Sequence, residues 1–122
     1  MKKHYLFPFI FALVFSVSYS QSTYYVATSA NGGVDDASVS GSVTSPWATL
    51  SYAISRASHN DTIKIGPGTF TSECNIAANK ILTIEGHGRD LTIFDGSSGD
   101  AGCGFMAISE DVTIKSMTIK GY

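Results

Sequence analysis

Three lysines sit where strand alternation turns them outward: Lys64 in "TIKI", Lys115 in "VTIK" and Lys120 in "MTIK". On a flat face they could touch a carboxylated ligand, and one could remove a proton as a general base. The second role needs a pKa tuned near working pH and a partner in reach. No local residue offers either, so all three read as solvated surface lysines. Four carboxylates, Asp95, Asp100, Glu110 and Asp111, gather near a Gly-rich insert from Gly96 to Gly104. Paired carboxylates suit calcium or sugar hydrolysis. Acidic corners are common on repetitive β folds, however, and "SGDAGCGF" lacks the spacing of a calcium-binding nonapeptide. Asp35 and Asp36 lack the oxygen-ligand spacing of a calcium loop. His59 follows an expected helix, where its charge would suit the helix C-terminus. His87 lies between two glycines. Neither has a Ser or Cys at triad spacing. "GHGRD" follows a strand but opens another strand, which excludes a nucleotide fingerprint. Asn60-Asp61-Thr62 is a glycosylation sequon in form, read here mainly as turn chemistry. The catalytic residues are therefore unknown, and no cofactor-binding or metal-ligating residue is assigned.

The elements that position these residues begin after a leader. "MKKHYLFPFIFALVFSVSYSQ" has a basic start at Lys2 and Lys3, an apolar run from Tyr5 to Val17, and small residues at Ser18 and Ser20. It reads as a signal peptide over residues 1–20, cleaved before Gln21. The run is shorter than the roughly 20 apolar residues of a spanning helix, so the mature chain, residues 21–122, is expected to have no membrane span. Losing the two leader lysines leaves six basic against ten acidic side chains, net −4. No basic stripe suggests nucleic acid. The chain is 122 residues long and the mature part fits one small domain. Tyr122 arrives in mid-pattern, so the chain reads as a fragment. Cys74 and Cys103 are an even pair in an oxidising compartment. They fit one bridge if their Cα atoms lie close enough, or two small buried hydrophobes. No Cys-x-x-Cys or histidine pair favours a metal.

Tyr24-Tyr25-Val26 predicts a short strand, and Thr28 to Ser45 an exposed Gly/Ser/Asp loop. Ser45 can cap a helix with Pro46 at its first position. Trp47, Leu50, Ala53, Ile54 and Ala57 then recur at helical spacing, opposite Ser51, Ser55 and Arg56. Short alternating strands follow at Thr62–Ile65, Leu82–Glu85, Leu91–Ile93, Val112–Lys115 and Met117–Lys120, with a more apolar run at Phe105–Ile108. Thr62 to Thr83 and Thr92 to Thr113 are both 21 residues. Short strands at such a period predict a solenoid whose inward aliphatics form a ladder. Each buried side chain is worth roughly 1.5–3 kcal/mol. The first rung needs a cover, and the Ser45–Ala57 helix supplies it.

"YYVATSANGG", "SPWATLSYAI", "DTIKIGPGTF", "LTIEGHG" and "LTIFDG" together resemble the N-terminal part of right-handed parallel β-helix proteins of the pectin-lyase-like group. The match runs from about Tyr24 to Gly96, with Asn60 and Phe70 standing where the pattern has Gly and Tyr. The resemblance implies an all-β solenoid: a right-handed parallel β-helix with an N-terminal capping α-helix. It also implies a secreted or cell-surface protein acting on or binding extracellular polysaccharide. Relatives that cleave uronic-acid polymers often use calcium, which the resemblance implies for a full-length protein. Their catalytic groups usually lie on later coils. Other relatives are non-catalytic surface or adhesin modules, which is the alternative expectation.

Overall fold

A computed structural model describes Lys3, residues 20–99 and residues 103–122. The leader expected over residues 1–20 lies outside the described residues except at Lys3 and Ser20, and so does Asp100. The described chain is mostly β, with one short helix. Its strands are β1 (Thr23–Val26), β2 (Asp61–Ile65), β3 (Gly68–Phe70), β4 (Ile76–Ala78), β5 (Leu82–Gly86), β6 (Thr92–Asp95), β7 (Met106–Ile108), β8 (Val112–Lys115) and β9 (Thr118–Lys120). Helix α1 spans Leu50–Arg56.

All strand pairs are parallel. They form three sheets, ordered β1-β2-β5-β8, β3-β6-β9 and β4-β7. From β2 onward the chain visits the three sheets in fixed rotation. Such short strands bury little alone, so stability has to come from neighbours in register. Tyr24, Ile63, Ile84 and Ile114 stand in one inward row. Phe70 lies opposite Phe94 with their rings stacked at 4.8 Å. Phe105 continues edge-on to Phe94 at 5.1 Å, and Tyr122 follows at 5.3 Å. Burying aromatic area in such offset and edge contacts is among the larger favourable terms available to a small core. Gly86 occupies the inward register after Ile65, where any Cβ would come within 2.9 Å of the Met117 Cβ.

The equal 21-residue spacings have different fates. Thr62 does pair with Thr83. Thr92 pairs with Gly68 instead, and Thr113 pairs with Thr83. The Gly-rich insert lengthens the second circuit, so Val112–Lys115 is the strand that lies on Leu82–Glu85.

The helix is shorter than expected and starts later. Thr49 is its N-cap, accepting from the Tyr52 amide at 3.1 Å. Ser45 caps nothing. Pro46 and Trp47 precede the helix because Trp47 pairs with β1: its N–H donates to Tyr25 O at 3.0 Å, and its carbonyl accepts from Ala27 N at 2.9 Å. Trp47 is buried through that pairing and not through a helical stripe. Its indole N–H donates to Val39 O at 2.9 Å, and Gly41, at φ 71°, sits flat under the ring. Leu50, Ala53 and Ile54 form the buried face of α1, which packs on β1, β2 and β4.

The helix ends are satisfied from outside. Leu50 N and Ser51 N donate to the two carboxylate oxygens of Glu73, at 2.5 and 3.3 Å. The Lys80 ammonium donates to the carbonyls of Ile54 and Ala57 at 2.8 and 2.6 Å. A helix leaves four amides and four carbonyls without internal partners. Here an anion meets the amino end and a cation the carboxyl end, each on its electrostatically favoured side. Glu73 and Lys80 flank β4, so one segment grips both ends.

Candidate functional site

Parallel register turns scattered residues into rows. On the outward side of the four-stranded sheet, Thr23, Thr62, Thr83 and Thr113 align across β1, β2, β5 and β8. Beside them run Tyr25, Lys64, Glu85 and Lys115. Neighbouring strands lie about 4.8 Å apart, so each row is a regular track across the strands. Side chains at these positions face away from the core because alternation sends Ile63, Ile65 and Ile84 inward.

At its β1 edge the track opens into a groove of about 630 Å³, lined among others by Tyr25, Val43, Pro46, Lys64, Pro67 and His87. The walls have separate origins. Tyr25 and Lys64 are paired residues on adjacent strands. Pro46 is held by Val34 N donating to its carbonyl at 3.1 Å. His87 is placed by its own N–H, which donates to Thr92 Oγ1 at 2.8 Å. Thr92 is fully buried, and its hydroxyl donates to Gly66 O at 3.0 Å. Buried hydroxyls of this kind are retained where both ends of the bond are satisfied.

Lys64 and His87 are exposed, and among the described residues neither side chain has an ion-pair or hydrogen-bond partner. Lys115 pairs with Glu85 at 3.8 Å and Lys120 with Asp95 at 3.2 Å. The groove can therefore offer an uncommitted ammonium, an imidazole and an aromatic face. It offers no base with a partner to tune it.

Three of the acidic candidates, Asp35, Asp36 and Asp95, are engaged elsewhere. Asp35 accepts from Ala48 N and Thr49 N at 2.8 and 3.1 Å, and from the Thr49 hydroxyl at 2.7 Å. It is a brace for the helix start. Asp36 accepts from the hydroxyl and amide of Ser38, which hold its carboxyl below the usual range. Asp95 accepts from Ser97, first through the hydroxyl and then the amide, and meets Lys120. These partners bring it down to about 2. Glu110 and Asp111 are exposed at the turn before β8. Among the described residues no three of His, Cys, Asp and Glu converge as metal ligands.

The sequon turn holds Asn60 at φ 69°, and its Asp61 is buried. The Asp61 carboxylate accepts from Ser22 N at 2.9 Å and Ser58 N at 2.7 Å, which bears out turn chemistry. His59 is not poised on the helix end. Its Nδ1 accepts from Ile81 N at 3.1 Å, while Lys80 takes the helix carbonyls. Cys74 and Cys103 form a disulfide with Cα atoms 5.7 Å apart, so of the two readings left open, the bridge holds.

Three residues with evident roles were not singled out by sequence: Tyr25, Glu73 and Lys80. Burial pushes the Glu73 carboxyl up and outweighs the pull of the Leu50 and Ser51 amides, with Asp35 adding repulsion. Among the described residues no helix is long and apolar enough to cross a membrane. Comparison with protein-family models, curated proteins and solved structures found no match to this chain.

Proposed function

We propose that the chain is the N-terminal portion of a right-handed parallel β-helix of the pectin-lyase-like kind, capped by α1, and that it binds polysaccharide outside the cell. The rotation of strands through three parallel sheets supports the architecture, and the basic and apolar leader supports export. The observation that carries the binding reading is the groove where Tyr25, Lys64 and His87 meet the outward track. A sugar ring can lie on the Tyr25 face, a carboxylate can approach the Lys64 ammonium, and the threonine row can exchange hydrogen bonds with ring hydroxyls.

Binding is favoured over cleavage for this chain. Acid–base cleavage of a glycan needs two free carboxyl groups across the scissile bond. The groove lining holds no carboxylate: Asp35, Asp61 and Glu73 are consumed by backbone amides, Asp95 by Ser97 and Lys120, and the exposed Glu110 and Asp111 lie outside it. A second reading is a non-catalytic cell-surface module in which the ladder serves as a rigid spacer. It is favoured by the Lys115–Glu85 and Lys120–Asp95 pairs, which neutralise the outward face away from the groove.

Affinity electrophoresis separates the two. Migration should be retarded in gels containing polygalacturonate and much less in gels containing neutral dextran. Lys64→Ala and Tyr25→Ala should each abolish the retardation, and added salt should weaken it. No retardation by any acidic or neutral glycan would leave the spacer reading in its place.

A further inference from the structure

The corner between β3 and β4 joins three parts of the molecule that are remote in sequence. Glu73 caps the first two amides of α1 with its carboxylate. The Glu73 carbonyl accepts from the Tyr122 hydroxyl at 2.9 Å, 49 residues away. The next residue, Cys74, is bonded to Cys103 across 29 residues. The residue after that, Asn75, is at φ 49°, in the left-handed region. Its N–H donates to Gly104 O at 2.6 Å, and its Oδ1 accepts from Gly104 N at 3.0 Å.

These contacts depend on one another. A seven-residue helix cannot sustain itself. Of its first amides, Tyr52 N and Ala53 N are satisfied locally by Thr49. Leu50 N and Ser51 N depend on Glu73 alone. Glu73 reaches them from an otherwise exposed corner: Thr71, Ser72, Cys74 and Asn75 are all exposed, while Glu73 itself is 3% exposed. What fixes that corner is the bridge, the paired Asn75–Gly104 bonds beside it and the Tyr122 hydroxyl on the Glu73 carbonyl, of which the bridge is the one covalent tie.

We propose that the Cys74–Cys103 bridge is a redox latch on helix α1: closing it seats Glu73 against the Leu50 and Ser51 amides, and opening it releases them. Closure needs a disulfide-bearing oxidant. One protein thiolate attacks the oxidant's disulfide to give a mixed disulfide, and the second displaces the oxidant's sulfur. The protein gains one S–S bond, and the two electrons and two protons end on the oxidant as a dithiol. Opening is the reverse, by a dithiol reductant. Cys74 is exposed and Cys103 buried, so attack begins at the Cys74 sulfur and frees the Cys103 thiol. The latch couples the oxidation state of the chain to the seating of α1, the one α-helix among the described residues, over β1, β2 and β4.

Amide hydrogen exchange on the full chain tests this, comparing the oxidised protein with the protein held in dithiothreitol. Reduction should speed exchange at Leu50 and Ser51 by at least about tenfold more than at Ile63 and Ile84. Tyr52, capped by Thr49, should follow them less closely. In Glu73→Ala the two amides should already exchange fast when oxidised, and reduction should add only the change seen at Ile63 and Ile84. Sucrose, which favours the compact state, keeps the comparison valid if the reduced chain otherwise unfolds. Cys74→Ser/Cys103→Ser should reproduce the reduced pattern. Uniform acceleration of all amides, no change at Leu50 and Ser51, or a full response to reduction in Glu73→Ala would each overturn the latch.

Discussion

The two ends of the parallel stack use the same short text and reach different states. At the first end, α1 lays Leu50, Ala53 and Ile54 on the strands, and Trp47 closes the side, all of them buried. At the other end, Val112, Ile114 and Met117 are only partly covered, while Ile108 and Ile119 are 51% and 39% exposed. "LTIE" and "VTIK" share their aliphatic-Thr-Ile start and lie in register. Yet Ile84, between two strands, is wholly buried, and its partner Ile114 is not. Burial here belongs to what lies on each side of a strand and not to the strand's own pattern.

One substitution made at both registers measures how unequally the two ends are packed. Ile84→Ala should cost about 2–5 kcal/mol, the range for a fully buried aliphatic. Ile114→Ala should cost about 1 kcal/mol, since less area leaves water on folding. Urea denaturation of both variants would measure the difference. Equal costs would mean that the two ends are equally packed.

A smaller effect separates the true helix cap from the expected one. Glu73→Ala strands two amides and should cost about 1–3 kcal/mol. Thr49→Ala should cost about 1 kcal/mol. Ser45→Ala should stay within about 0.5 kcal/mol, because its hydroxyl caps nothing. A Ser45 effect as large as that of Glu73 would restore the earlier helix start.

The strands most legible in the sequence were those with clear alternation between Thr or charged residues and Ile or Leu: β2, β5 and β8. Parallel pairing followed from their recurrence, and Thr62 does meet Thr83. The next rung was not legible, because the insert before β8 changes the circuit length and spacing alone cannot count it. Ile76–Ala78 went unread, since three residues with two alanines carry no periodicity. The helical stripe matches the buried face at Leu50, Ala53 and Ile54. It does not extend to Trp47, which is buried by pairing with β1. Glu73 and Lys80 could not be found as caps, because the groups they satisfy lie 22 to 26 residues away. Lys64 was visible as an outward lysine, but its neighbour Tyr25 becomes one only through the β1–β2 register.

The carboxylates of the two ends should titrate with opposite consequences. Glu73 is raised from 4.5 by burial. Its folded form holds the proton more tightly than the unfolded chain does. The pH-dependent part of its contribution is complete below about 4.5 and is lost as pH rises through its folded value, while its oxygens still accept from the Leu50 and Ser51 amides. Asp95 is lowered from 3.8 to about 2, so its contribution is present above 3.8 and is lost as pH falls toward 2. Carboxyl carbon NMR titration should show Glu73 moving above, and Asp95 below, the ordinary carboxylate range. Glu73→Gln should flatten the pH dependence of stability on the upper side, and Asp95→Asn on the lower. Both resonances moving at ordinary pH would remove the contrast.

The smallest expected effect concerns what holds Asp95 down. Its strongest support is the Ser97 hydroxyl, followed by the Ser97 amide, with Lys120 behind both. The amide survives any side-chain change at 97, so Ser97→Ala removes the first support and leaves the second. Lys120→Ala removes only an exposed partner whose attraction water and salt already weaken. Both variants should raise the Asp95 titration point, and Ser97→Ala should raise it further. Added salt should narrow the gap between Lys120→Ala and the parent while leaving the Ser97→Ala shift nearly intact, because a short hydrogen bond is screened less than an ion pair across solvent. The reverse order would make the ion pair, and not the turn at 95–97, the feature that organises the β6–β9 side of the stack.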